Sequence, residues 1–293
     1  MKKLDLIKYA LYETLPYCKQ LHIKDYFGLE IEMSLLNEKD KFYLLNEDLM
    51  EMGYYDPFDD SMLHGIPLEI ATPKLLDTTL TWKTLEDLSN RMKNCQLNFD
   101  YAALQVNLDS NLTKLELYHM VLFFRSFEHI IYKFSRGYDL ELRSMVYAQS
   151  LKKFLLYNDL EEKNQYALKK LMWNKRFGIA LKNNKPYHEQ FPVTIVEFRT
   201  PNSSNDFFLW QNYVNTFYHF LHSIRNLDLD FIDYQLCHNR NARGKSSKVL
   251  HLDDAITFSN IIFKEDMDKI YFLKHYIGSD SKEVKENIKT LTL

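Results

Sequence analysis

The chain has 293 residues, 46% of them hydrophobic, with 20 Phe and 20 Tyr, enough to bury a sizeable core as one large domain or as a domain with an appendage. Its 37 basic and 40 acidic side chains leave a formal charge of −3, so bulk electrostatics give no reason to expect a nucleic-acid or membrane partner. Three scattered cysteines, Cys18, Cys95 and Cys237, exclude a disulfide framework or a zinc knuckle and fit a reducing compartment.

At the amino terminus Asp5, Lys8 and Glu13 interrupt any apolar stretch of signal-peptide length, and no run approaches the ~20 apolar residues of a membrane span. A cytoplasmic protein is expected. Leu6, Ala10, Leu11 and Leu15 predict a helix over 5–20, followed by a strand over 26–34. Residues 46–66 form an acidic, turn-rich stretch with Gly53, Asp56-Pro57 and Gly65, read as a long loop that delivers the chain into a strand over 67–72. Asp77 or Thr78 can cap a helix running to about 98, and Tyr101 to Asp109 alternates as a third strand.

From Thr113 the stripe Leu117, Met120, Val121, Phe124 and Ile131 predicts one long helix. Helical stretches over 139–156 and 159–173 lead to strands at Phe177 to Leu181 and Val193 to Thr200. Pro201 to Asp206 supplies turn and cap chemistry for a helix with the seam Phe207, Trp210, Val214, Phe217, Leu221 and Ile224. Beyond 228 a basic linker, 238–248, precedes short helical pieces.

The chemistry concentrates on three strands: Phe-Gly-Leu-Glu-Ile-Glu at 27–32, Leu-Glu-Ile-Ala-Thr-Pro at 68–73 and Val-Glu-Phe-Arg-Thr-Pro at 196–201. Side chains two apart on a strand share a face, roughly 7 Å apart, so Glu30 and Glu32 form one pair and Glu197 and Arg199 another. Each motif alone also fits a plain reading: a solvated strand face for Glu30 and Glu32, an edge charge for Glu69, an ion pair for Glu197 and Arg199. Together they predict a carboxylate cluster with a guanidinium at its rim, which needs cations, because unpaired buried charges cost several kcal/mol each. Hard divalent ions with oxygen ligands, Mg²⁺ or Mn²⁺, suit such a set. Amide substitution of Glu30 or Glu197 is expected to spare the fold and to relieve mutual repulsion. With only seven glycines there is no Gly-rich phosphate loop, so a bound nucleotide would have to be held by metal ions and arginines.

The order of these segments, with Leu104-Gln-Val-Asn-Leu108 and a helical Arg143 and Tyr147 between them, resembles the amidoligase family of the carboxylate-amine ligase superfamily, to which glutamine synthetase and glutamate-cysteine ligase belong. The resemblance covers roughly 26–225. It implies an α+β fold, a curved, mostly antiparallel sheet with helices on its convex face. On that reading residues 1–227 are a glutamine synthetase-like catalytic domain, and 228–293 are a linker and a C-terminal helical appendage. It implies an enzyme that joins a small-molecule or peptide carboxylate to an amine through an acyl phosphate, with ATP as co-substrate and two or three Mg²⁺ (or Mn²⁺) ions. Carried over by position, Glu30, Glu32, Glu69 and Glu197 bind metal and Arg199 contacts the transferring phosphoryl group. Arg143 also faces phosphate on this reading, or pairs with Asp139 along its helix. Apart from the resemblance, Arg176 beside Lys175 could reach phosphate or be a solvated strand entrance, and Asn107 is a further phosphate candidate.

One departure stands out. The family's third strand carries Gly-x-His-x-His, whereas here Gln105 and Asn107 take the histidine positions and Ala102-Ala103 replace glycines. Gln105 offers a neutral oxygen, a weaker metal ligand. The alternative function is therefore a catalytically degenerate member of the same fold, acting as a binding or interaction module. A metal-dependent nuclease using Lys74 and the 240–248 segment ranks third, for want of an extended basic footprint. His219 and His222 read as packing, and Asp59, Asp60 and His64 as solvated loop residues. The acid, the amine and the oligomeric state are not encoded in any of these motifs.

Overall fold

Strict alternation of apolar and polar side chains gives the sheet two unlike faces. The computed structural model describes residues 2–12, 21–44, 54–56, 65–136, 148, 150–151, 177–182, 193–238, 250–278 and 284–285. Its strands are β1 (Phe27–Leu35), β2 (Tyr54–Asp56), β3 (Ile66–Ala71), β4 (Leu97–Asn98), β5 (Leu104–Leu112), β6 (Ile179–Lys182) and β7 (Val193–Phe198). They form an open antiparallel sheet in the order β2-β3-β1-β5-β7-β6, with the short β4 paired to the end of β1.

Leu29, Ile31 and Met33 of β1, Leu68 of β3, Leu104, Val106 and Leu108 of β5, and Val196 and Phe198 of β7 are fully buried on one face. Helices cover that face. α1 (Lys3–Tyr12) and α2 (Glu38–Leu44) flank β1 in sequence, and α3 (Thr79–Lys93) stacks Trp82 on Phe27 with ring centroids 5.1 Å apart. α4 (Lys114–Ser126) and α5 (Glu128–Arg136) follow β5, and α6 (Phe207–Ser223) stacks Phe217 on Phe198 at 4.2 Å. The fold is α+β. Behind this layer lie α7 (Leu229–His238), α8 (Leu252–Ile262) and α9 (Asp266–Ile277). Phe258 of α8 lies 5.7 Å from Phe123 of α4, and Phe272 of α9 lies 4.7 Å from Phe134 of α5, so both helices share the aromatic core of the sheet-backing layer.

Several boundaries differ from the sequence expectation, each for a local reason. The stretch read as a loop over 46–66 contains β2, an edge strand on β3. The helix expected to reach 98 stops at Lys93, and Leu97–Asn98 pairs with β1. The long helix after Thr113 breaks at Phe127, whose ring is wedged against Phe123 and Phe258 at 5.6 and 5.4 Å. Thr78, not Asp77, caps α3, its hydroxyl accepting from the Thr81 amide. Asp77 turns inward instead and accepts from the amides of Leu21 and Ile23 and from the Trp82 indole at 3.2, 3.0 and 2.6 Å, so a buried carboxylate ties the entry of β1 to α3.

Candidate active site

The strand registers bring the acidic motifs together on the opposite, polar face. Glu32 of β1 lies opposite Glu69 of β3, and Asp56 of β2 stands opposite Glu69 on its other side. One row along, Glu30 faces Gln105, and in the next, Gly28 faces Asn107, which faces Glu197, which faces Ala180. Glu30, Glu32, Glu69, Gln105, Asn107 and Glu197, drawn from four strands, therefore share one patch, with Arg199 immediately beyond the end of β7. Arg143 and Arg176 lie outside the described residues, as do Asp59, Asp60, His64, Tyr147 and the 239–249 segment.

A chain of hydrogen bonds and ion pairs runs across the patch. The Ala103 amide donates to Glu32 Oε2 at 2.7 Å, and Gln105 Nε2 donates to Glu32 Oε1 at 3.1 Å. Gln105 Oε1 accepts from Arg199 Nη1 at 2.7 Å, and the same guanidinium pairs with Glu197. The other Glu197 oxygen pairs with Lys182, whose Nζ also reaches Glu30 Oε1 at 3.0 Å and Asn107 Oδ1 at 3.4 Å. Asn107 Nδ2 closes the circuit on Glu30 Oε1 at 2.8 Å. The two amides thus each use both ends: Gln105 links Glu32 to Arg199, and Asn107 links Glu30 to Lys182. Glu197, wholly removed from solvent, is held between two cations. At the edge of the same face Lys74 grips both carboxylate oxygens of Asp109, at 2.7 and 2.8 Å.

Lys182 is the residue that sequence reasoning missed. The expected strand ended at Leu181, one residue short, whereas β6 continues through Lys182 and its register puts that side chain on the Glu197 face, opposite Ile195. Alternation from Ala180, a small residue beside Glu197, was the signal that could have found it. Burial alone would push the Lys182 pKa down, but the charges of Glu197 and Glu30 and the hydrogen bonds to both outweigh it, so the ammonium is held above its ordinary range.

The donors on this face are carboxylate and amide oxygens, the hard ligand set that suits Mg²⁺ or Mn²⁺. They fit such an ion on the side of Glu32 and Glu69. Between Glu30, Asn107 and Glu197 the Lys182 ammonium already fills the place of a cation. His219 and His222 play no part in this face: His219 packs on Phe263 at 5.4 Å, and His222 Nε2 lies 2.9 Å from Asp25 Oδ2.

No family model matches the sequence, and no curated protein does either. Among solved structures, the chain is similar to a bifunctional glutathione synthetase from Pasteurella multocida, with a TM-score of 0.50 and 11% sequence identity over 92% of this chain and 50% of that one. The complex between the prokaryotic ubiquitin-like protein Pup and its ligase PafA matches with a TM-score of 0.38 and 11% identity, over 90% of this chain and 65% of that one. The chain thus spans about half the length of the glutathione synthetase, and what the first likeness establishes is a shared fold.

Proposed function

We propose that the polar sheet face binds Mg²⁺-ATP and that the protein is an ATP-dependent carboxylate-amine ligase. The observation that carries this reading is the convergence of Glu30, Glu32, Glu69 and Glu197 on one face, from strands far apart in sequence, with Arg199 and Lys182 among them. The fold shared with a glutathione synthetase supports it, as does the order of motifs.

A carboxylate does not react with an amine at neutral pH, so it must first receive a better leaving group. Bound Mg²⁺ would supply neutralisation of the phosphate oxygens, with Glu32 and Glu69 as its first candidate ligands; Glu30, Glu197 and Gln105 would join them only by giving up their contacts with Lys182 and Arg199. This chain's own cations would do the rest. Arg199, which Gln105 and Glu197 hold through Nη1, would donate to the phosphoryl group in transfer; Arg143, Arg176 and Asn107 are the further candidates for phosphate. Lys182 supplies fixed positive charge between Glu30 and Glu197, so the site needs fewer ions than the two or three that the resemblance implies. The substrates would be a small-molecule or peptide carboxylate and an amine, in the cytoplasm; no helix among the described residues is long and apolar enough to cross a membrane.

The test is Mg²⁺-dependent release of ADP and phosphate across a panel of paired acids and amines. Turnover with one pair and none with either partner alone is expected. Hydrolysis that ignores both partners would contradict the ligase assignment.

A specific observation favours a second reading, a degenerate member of the fold that binds without catalysis. Lys182 closes the Glu30–Glu197 pair with a cation of the protein's own, and Gln105 and Asn107 stand where histidines would ligate metal. Thermal melts separate the two readings, because a ligand bound only to the folded state at 100 times its Kd stabilises it by about 2.7 kcal/mol. A rise in Tm with Mg²⁺-ATP, without turnover for any pair, would favour the binding module.

A further inference from the structure

Remote from the polar sheet face, on the helical side, two imidazoles and a carboxylate meet. His129 of α5 is buried, its side chain 1% exposed, with Nε2 3.0 Å from Asp254 Oδ2 in the first turn of α8. His251, the residue before α8, sets its ring perpendicular to that of His129 with centroids 5.0 Å apart. Its backbone amide is fixed by the Tyr276 hydroxyl of α9 at 3.0 Å, so the ring is not free to drift with a loop.

The hydrogen bonding here is incomplete in a particular way. His129 Nδ1 and His251 Nε2 are both buried, and neither makes a hydrogen bond among the described residues. His251 begins a helix, where a side chain commonly caps a backbone amide, yet its ring makes no capping bond. Two unmet ring nitrogens beside one carboxylate call for an explanation, since buried polar groups are rarely left without a partner.

We propose that His129, His251 and Asp254 form a binding site for a transition-metal ion of the zinc type, which clasps α5 to α8. Each residue offers one ligand atom, and the three lie within 4.8 Å of one another. A tetrahedral ion with Zn–N and Zn–O bonds of roughly 2.0 to 2.2 Å needs ligand atoms about 3.4 Å apart, so the three side chains would draw together on binding. A half-turn of the His129 ring about its Cβ–Cγ bond puts each nitrogen where a ring carbon stood, so Nδ1 can be brought to the other side of the ring. The donor set discriminates between metals: imidazole nitrogens suit Zn²⁺ and Co²⁺, whereas the all-oxygen sheet face suits Mg²⁺. A water would take the fourth position. The ion would tie α5 to the C-terminal helices, and it is independent of the ligase reading.

The test uses the full chain, stripped with a chelator and titrated with Zn²⁺ by calorimetry and with Co²⁺ by visible absorption. One equivalent of Zn²⁺, a Co²⁺ spectrum of four-coordinate type and a higher Tm in Zn²⁺ are expected. His251→Gln, at a partly exposed position that a folded chain should tolerate, is expected to weaken Zn²⁺ binding at least about 100-fold, and Asp254→Asn to act in the same direction. Glu30→Gln, on the sheet face, is expected to leave the Zn²⁺ equivalent in place. An unaltered Zn²⁺ isotherm in both His251→Gln and Asp254→Asn, or no Zn²⁺ binding by the wild-type chain, would overturn the proposal. Failure of Mg²⁺-ATP to bind would leave it standing, since no residue is shared.

Discussion

Glu197 has no exposure to water, and each of its oxygens is met by a cation, Lys182 on one side and Arg199 on the other. Taking one partner out of a buried ion pair costs about 3–5 kcal/mol, because the remaining charges are left uncompensated. Glu197→Gln is therefore expected to lower the stability of the ligand-free protein by that order, measured by chemical denaturation; equal stability would mean that the pairs contribute nothing. This reverses the sign drawn from sequence alone, where Arg199 stood at the rim of a carboxylate cluster, Lys182 was not in view and an amide was expected to relieve repulsion. Lys182→Met should also destabilise the protein, by leaving Glu30 and Glu197 to face each other, and millimolar Mg²⁺ should restore part of the loss in the variant while doing less for the wild type. A variant indifferent to Mg²⁺ would show that no ion can take the place of the ammonium. The Lys182 pKa is raised on folding above 10.5, so its contribution is complete below pH 10.5 and is lost as pH rises through the folded value. The acidic members of the site were legible because alternation along a strand fixes the face of each side chain. Lys182 was not, since it lies at the last residue of a short strand, where the pattern offers too few positions to carry on.

At the scale of elements, β6 is placed by close approach to α5. A Cβ on Gly178 would lie 2.7 Å from the Tyr132 hydroxyl and 2.8 Å from Thr200 Cγ2, while the Gly178 carbonyl accepts from the Arg199 amide at 2.9 Å. Gly178→Ala should push β6 away from α5 and disturb Lys182 and Arg199 together, at a cost of about 1–3 kcal/mol. Tyr132→Phe makes room but gives up the hydrogen bond to the Ala148 carbonyl at 2.6 Å, so the double variant should be more stable than the sum of the two single losses. Strict additivity in a denaturation cycle would remove the steric account. Elements with a long period and a marked cap, α6 with Asp206 or α4 with the Thr113–Glu116 capping box, could be read directly from the sequence. The break at Phe127 could not, because it arises from ring packing against α8, a contact between residues more than 100 positions apart. Nor could β2 and β4, whose few residues carry no usable period and exist because β3 and β1 offer them edges.

The whole molecule places a charged, hydrogen-bonded face and an aromatic helical layer on opposite sides of one sheet, and the two sides respond to different variables. In the helical layer His275 of α9 packs its ring on Phe134 at 5.1 Å with Nε2 3.2 Å from the Tyr213 hydroxyl, and burial pushes its pKa down to about 4. The neutral ring is the folded form, so this contribution is complete above the ordinary value of 6.5 and is lost as pH falls from there toward 4. His275→Gln should flatten the fall in Tm between pH 6.5 and 4.5; an unchanged profile would assign that fall to other groups. On the proposed function the sheet face binds cations and phosphate. Calorimetric titration with a non-hydrolysable ATP analogue, with and without Mg²⁺, measures that response most directly. The account predicts one saturable site that requires Mg²⁺, is lost in a folded Arg199→Ala variant and is untouched by His251→Gln. Absence of Mg²⁺-dependent heat in the wild-type protein, or binding that survives unchanged in Arg199→Ala, would contradict it.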